Sequence, residues 1–178
     1  NRLKLNPAKL DIIQKLAYHS ARLYNVGLYS VRQYFFENDS YLNYAKNYHC
    51  CKDNENYKLL LSDSAQQVLK LVERDMKSFF ALLRLKQAGK YSAKVRLPNY
   101  KGKEESAIIL IQGRSARIKK GFVHIGLSKS FKEKYQIELK ELVFKLPKNI
   151  EATKLQELRI IPLFGGKEFE IEFVYKKE

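Results

Sequence analysis

Cysteine is almost missing from this chain, and the two that occur are neighbours, Cys50 and Cys51. Two adjacent thiols cannot build the disulfide framework of a small secreted fold, so reduced thiols in a cytoplasmic protein are expected. Histidine is scarce too. His19, His49 and His124 are too far apart to form a metal clip, and no second ligand pair follows His49-Cys50-Cys51 at zinc spacing. No apolar run approaches the ~20 residues that cross a bilayer, and the first residues lack the apolar core of a signal peptide. Acid is in short supply as well: 19 Asp and Glu face 34 Lys and Arg, for a formal net charge of +15. That balance calls for a polyanionic partner and leaves the fold open. Nucleic acid comes first, an anionic membrane second, and no membrane is expected among the partners.

The chemistry of catalysis is missing as well. A metal nuclease needs carboxylates converging on Mg²⁺, whereas Asp11, Asp39, Asp53, Asp63 and Asp75 are scattered over predicted helix faces, caps and loops. There is no Asp-x-Asp, no Gly-rich phosphate loop, no Gly-x-Ser-x-Gly elbow and no Cys-x-x-Cys. A tyrosine nucleophile among 12 tyrosines would want a clustered His or Arg set, which the sequence does not offer. These residues read as non-catalytic, without a metal site or cofactor of their own. The first residue is Asn1, not Met, which suggests a trimmed fragment.

What is present is enough for a core. With 178 residues and 45% hydrophobic content, one domain or two small ones are possible. Asn6-Pro7 predicts a helix start. After it, Leu10, Ile13, Ala17, Ala21, Tyr24, Leu28, Val31 and Phe35 recur at helical spacing, giving a helix of about 45 Å that reaches Phe36. Gly27 interrupts that pattern. Glu37 to Tyr57 reads as connections (Asn38-Asp39-Ser40 and Asp53-Asn54-Glu55-Asn56) around one short helix with Tyr41, Tyr44 and Tyr48. Ser62-Asp63-Ser64 predicts the caps of a second long helix, with Ala65, Val68, Leu69, Val72, Met76, Phe79, Phe80 and Leu83 as its stripe and Ala88-Gly89 as its end. From Ser106 the period turns to strands. Ala116–Lys119 and Phe122–Ile125 flank the hairpin signal Lys120-Gly121, and Ser128 to Tyr135 reads as a short helix. ELRIIPLF and KEFEIEFVY flank Gly165-Gly166 as a second hairpin with a two-residue turn, Pro162 marking an edge or bulge. Phe169, Ile171, Phe173 and Tyr175 are expected to face inward. The sum is an α+β chain: two long helices plus a short connector helix, then five or six strands in a small antiparallel barrel.

Two surfaces carry the binding chemistry. Opposite the apolar stripe of the second long helix lie Gln66, Lys70, Arg74, Lys77 and Arg84, amide and basic groups that suit phosphate and base contact better than a plain solvated face. Between Lys90 and Lys120 stand Lys90, Lys94, Arg96, Lys101, Lys103, Arg114, Arg117, Lys119 and Lys120, against only Glu104 and Glu105. Each cation that neutralises a phosphate releases counterion and makes binding salt-dependent. Tyr91 and Tyr100 sit inside that run and can stack on unpaired bases, and Arg114 and Arg117 can fork onto phosphate or a guanine edge.

The order RLKLNP, ARLYNVGL, KSFFALLRLKQAGKYSAKVRLPNYKGK, IGLSK, FKLP and LRIIP…FEIEFVY resembles the N-terminal half of the TnpB (OrfB-type "transposase") proteins, relatives of type V CRISPR effectors. Tyr24-Asn25 with Leu28, Phe79-Phe80, and Pro98 followed by Tyr100-Lys101 carry most of the likeness. The chain departs from the family's frequent Gly-x-Pro-Arg-Phe-Lys at Arg96, Asn99 and Tyr100. The resemblance implies a helical REC-like lobe over residues 7–88, inserted into a WED-like β-barrel made of residues 1–6 with 91–178. It implies guide RNA from the transposon end and target duplex DNA as partners. It also implies a missing RuvC-like nuclease domain beyond Glu178, with Mg and Zn expected only there, so that the full-length protein would be a Mg-dependent DNA endonuclease. Gln66 matches by position an amide that reads the target-adjacent motif, with Tyr41 and Gln112 as looser matches. A monomer or weak dimer, nucleoid-associated when bound, is expected. Two alternatives stand beside it: an autonomous basic protein that binds single strands or structured RNA, and a small self-contained transposase or nuclease.

Overall fold

A computed structural model describes residues 1–151 and 154–176. The remaining positions, which the expected 91–178 unit includes, lie outside the described residues. Asn6 accepts a hydrogen bond from the Lys9 amide and Pro7 occupies the first turn, so α1 starts where the cap chemistry places it and runs Pro7–Asn38. Asp39, in the left-handed region, ends it. Two short helices follow, α2 Tyr44–Cys51 and α3 Glu55–Leu59. The second was expected to be a loop. Instead Asn54 accepts from the Asn56 amide and starts a turn, because the side chain that favours turns also favours helix N-caps.

The second long helix, α4, spans Ser62–Gln87 and ends at Ala88-Gly89 with Gly89 at φ 70°. Its start differs from expectation. The N-cap is Leu61, which supplies no side-chain hydrogen bond, and the Asp63 carboxylate reaches across to the Gln112 amide at 3.2 Å. Val68, Leu69, Val72 and Met76 are 0–2% exposed, each stabilising the fold by roughly 1.5–3 kcal/mol. They pack under α1 where Gly27 lies. A β-carbon at Gly27 would come within 2.8 Å of Leu69 Cδ2 and 3.3 Å of Val72 Cγ2, so the glycine lets two helices approach and does not break α1.

Among the described residues six strands follow: β1 Ile109–Gln112, β2 Ala116–Lys119, β3 Phe122–Gly126, β4 Glu141–Lys145, β5 Leu155–Leu163 and β6 Glu168–Tyr175, with α5 Lys129–Tyr135 between β3 and β4. The fold is α+β, but the strands do not close a barrel. They form two three-stranded antiparallel sheets, β1-β5-β6 and β2-β3-β4. Four of the strands are only four or five residues long. β1, β2 and β4 each pair with a single strand, so the hydrogen bonding does not continue as a ring, and Ile109, Ile125, Leu142 and Ile160 are buried in a shared core. At the outer edge of β6, Arg2 bridges Glu170 and the Leu3 amide donates to the Phe169 carbonyl.

The β2–β3 turn is as expected: Lys120 at φ 50° and Gly121 at φ 77° make the two-residue connection. The β5–β6 connection is not. Leu163 pairs with Glu168, leaving four residues in the loop, because Phe164, Gly165 and Gly166 all take positive φ. Pro162 lies past the end of β1, where β5 has a free side. Phe169 and Ile171 are buried, Phe173 is half-buried and Tyr175 is 36% exposed, so the inward alternation fades toward the strand end.

Candidate nucleic-acid interface

Residues 88–108 connect α4 to β1 without helix or strand. They are nonetheless fixed, because this strap runs back along α1 and α1 side chains satisfy its backbone. Asn25 is the central clamp: its amide nitrogen donates to the Lys101 carbonyl at 2.9 Å, and the Lys101 amide donates to its oxygen at 2.7 Å. Arg22 donates to the Gly102 and Glu105 carbonyls, and Arg32 to the Pro98 carbonyl. Ser20 donates to the Ile108 carbonyl, and the Ala107 amide to the Ala17 carbonyl. The Arg32 guanidinium also lies 4.7 Å from the centre of the Tyr100 ring. Tyr24 positions the seam from beneath. Its hydroxyl donates to Asp75 at 2.6 Å while the Lys101 ammonium sits over its ring, and burial followed by the Asp75 contact pushes the phenol above its ordinary range.

The electrostatic result is a seam with an excess of positive charge. Arg22 and Arg32 meet carbonyl oxygens, and neither forms an ion pair with a described residue. Lys101 faces Glu105 at 3.7 Å. Lys90, Lys94, Arg96 and Lys103 are exposed, and none of them is ion-paired among the described residues. Tyr91 is half-buried and Tyr100 is 41% exposed.

Gln66, on the first turns of α4, lines an open cleft of about 480 Å³ with Asp63, Arg114 and Ser115. The structure thus brings together two sequence candidates, Gln66 and Arg114, that are far apart in the chain. Lys70, Arg74 and Lys77 are exposed further along α4. Lys70 lies over the Tyr44 ring, Arg74 pairs with Asp75, and Lys77 with Glu73. Arg84 and Lys77 flank a separate groove of about 780 Å³ that includes Phe35, Phe80 and Leu83.

The looser candidates are engaged internally. Tyr41 donates to Glu73 at 2.7 Å and the Tyr44 amide donates to the same oxygen. Burial opposes ionisation of Glu73, but those two hydrogen bonds and Lys77 outweigh it and hold the carboxyl below its ordinary value. Gln112 donates its side-chain amide to Glu157 at 3.3 Å. Arg117 donates to both oxygens of Glu141, whose other contact is His124 at 2.8 Å; the His124 hydrogen bond, then Arg117, holds that carboxyl low. Lys119 and Lys120 are exposed at the β2–β3 tip.

Reading by sequence overlooked Asn25, Arg22 and Arg32 as the strap's anchors, since the hold points are 66 to 83 residues away in the chain. It also overlooked Phe122 and Lys145, which strand alternation opposite Val123 and Phe144 places on an outward face. Cys50 and Cys51 are free, and burial pushes the Cys51 thiol up to about 11. Among the described residues no group of three or more His, Cys, Asp or Glu converges on a point, and no helix is long and apolar enough to cross a membrane. No known family model and no curated protein matches this chain.

Proposed function

We propose that this chain is the nucleic-acid-binding part of a TnpB-type RNA-guided DNA endonuclease, holding guide RNA and touching target-adjacent duplex DNA without cleaving by itself. The observation that carries the reading is the α1–strap seam. A 21-residue connection rich in Lys, Arg and Tyr is held against a helix by Arg22, Asn25 and Arg32, and its positive charge has few internal partners. An ordinary solvated loop has no need of such anchoring, whereas a phosphate-gripping surface gains from being pre-ordered. Of the residues that carry the family likeness, Tyr24 and Asn25 meet Lys101 in this seam, and Arg32 holds Pro98 and Tyr100.

In this reading the strap cations Lys90, Lys94, Arg96, Lys101 and Lys103, with Tyr91 and Tyr100, take RNA phosphates and bases. Arg114, Arg117, Lys119 and Lys120 add a second basic surface on and beside the β2–β3 hairpin. Gln66 reads the duplex beside the target, since an amide pairs with adenine N6 and N7 in the major groove, and Lys70, Arg74 and Lys77 position the backbone. In the family that the sequence resembles, cleavage belongs to a RuvC-like domain with Mg²⁺, and no cleavage is assigned to these residues.

The test is binding across a salt series to transposon-end RNA, scrambled RNA of equal length, and plain duplex DNA. Preference for the transposon-end RNA that survives moderate salt supports a guide-binding scaffold. Equal affinities that fall together with salt indicate an autonomous basic module instead.

A further inference from the structure

The outward face of the β2-β3-β4 sheet carries one feature that the strap does not explain. Phe122 is 44% exposed, and its register neighbours on both sides are lysines: Lys119 on β2 and Lys145 on β4. Directly opposed residues in antiparallel strands bring their β-carbons to about 5 Å, so the ring lies between two ammonium-bearing stems. No other described ring packs against it. Phe122 belongs neither to the hydrophobic core nor to the residues packed against it.

Lys145 also belongs to a groove next to that face. The groove, about 410 Å³, runs between the first residues of the chain and β4. Leu3, Leu5 and Val143 give it an apolar lining, and Lys4, Lys9, Lys145 and Lys148 surround them. No Asp or Glu is among its described lining residues, and none of these four lysines makes an ion pair with a described residue. An apolar cleft next to an open aromatic ring, with cations and no acid, has the composition of a single-strand track: rings for bases, ammonium groups for phosphates.

We propose that Phe122 and the Lys145-lined groove form a binding track for unpaired nucleic acid, with one base stacked on Phe122 and the neighbouring phosphates held by Lys145 and Lys148. The track rests on the proposed function only in that both require the chain to bind nucleic acid; its residues are separate from the strap. Duplex fits less well, because its bases are already stacked and offer nothing to the ring. A membrane surface fits less well because the apolar lining is recessed in a groove flanked by charge.

The experiment measures binding of labelled oligouridylate and oligodeoxythymidylate across salt, for wild type, Phe122→Ala, Phe122→Tyr and Lys145→Ala/Lys148→Ala. A 5-iodouridine oligomer is crosslinked in parallel and the adduct located by mass spectrometry. Phe122→Ala is expected to weaken binding roughly 5- to 150-fold, as loss of one stacked base does, while Phe122→Tyr restores it. The double lysine variant is expected to flatten the slope of log affinity against log salt by about 1.4, and the crosslink to fall on Phe122. Loss with oligouridylate alone assigns the track to RNA, and equal loss with both oligomers assigns it to any single strand. Unchanged affinity in Phe122→Ala with crosslinks on Tyr91 or Tyr100 overturns the track and leaves the strap as the binding surface. Association of wild type with phosphatidylserine vesicles that Phe122→Ala abolishes, without oligomer binding, overturns it too. If wild type binds no nucleic acid, the proposed function falls with it.

Discussion

Replacing Asn25 by alanine tests whether the basic strap is held in place by α1 or merely rests there. The substitution removes an acceptor for the Lys101 amide at 2.7 Å and a donor to the Lys101 carbonyl at 2.9 Å. Each such bond contributes a net ~0.5–1.5 kcal/mol, so the pair stabilises the closed strap by about 1–3 kcal/mol. Arg32 at Pro98, Arg22 at Gly102 and Ser20 at Ile108 still tie the strap on either side. The expected response is therefore local opening, not loss of the helical core, whose Val72 and Met76 remain buried. Native-state hydrogen exchange read by NMR should show the Lys101 amide exchanging roughly 5- to 150-fold faster, with amides at Val72 and Met76 almost unchanged. RNA affinity should fall, chiefly through a slower on-rate, as the cations lose their common orientation. Exchange at Lys101 that changes less than about twofold would show that the clamp contributes less than a hydrogen bond should. Acceleration at Val72 as large as at Lys101 would show that strap and core open as one unit.

Four further outcomes are expected. Gln66→Ala should reduce discrimination between motif and scrambled duplex more than total affinity; equal losses on both, by fluorescence anisotropy, would remove Gln66 from the reading site. Gly27→Ala should destabilise by about 1–2 kcal/mol in urea melts, since overpacking against buried Leu69 and Val72 outweighs the helix propensity of alanine; a stabilised variant would mean that the crossing relaxes freely. Lys120→Asn should stabilise by roughly 0.5–1 kcal/mol, because Lys120 holds φ 50° in a two-residue turn for which Asn-Gly is the preferred pair; an unchanged denaturation midpoint would argue against strain there. His19 is held neutral, first by burial, with Nδ1 donating to Asn56 at 2.8 Å and Nε2 left to accept from the Tyr135 hydroxyl, so its pKa lies below the ordinary 6.5. Its contribution is therefore fully present above about pH 6.5 and lost as pH falls from there toward the lowered value, because the unfolded chain takes up the proton first. Melting temperature should drop across that window in wild type and drop less in His19→Gln.

The parts of the fold that sequence made legible are those written in local chemistry. Asn6-Pro7 marks the start of α1, Ala88-Gly89 the end of α4, and Lys120-Gly121 a tight hairpin, each through a backbone preference of the residues themselves. What stayed hidden depends on meetings between distant segments. Asp63 looked like a helix cap but turns to the β1 backbone. The three left-handed residues Phe164 to Gly166 make a loop where two glycines had indicated a two-residue turn. Strand number could be read from alternation, but whether β1 and β6 would meet β2 and β4 as a ring depends on register between sheets, which alternation does not encode. For the candidate site the same division holds. The cations and rings of the strap were visible as composition, whereas the arginines and the asparagine that hold it stood in a helix that read as ordinary amphipathic sequence.

The way the strap is tied to α1 makes the two partners unequal in what length changes they can absorb. The hold points on the helix run from Ala17 to Arg32, a span of about 22 Å at 1.5 Å per residue. Asn25 and Arg32, about two turns apart, share one side of α1, and one residue inserted between them would rotate every later point by about 100° and turn the two away from each other. The strap has no such periodicity. An extra residue beside exposed Ser92 or Lys94 would loop outward while Arg32 kept its grip on Pro98 and Asn25 its grip on Lys101. Variation in length among natural versions of this chain should therefore gather between Tyr91 and Val95, where it would lengthen the basic surface without moving its anchors.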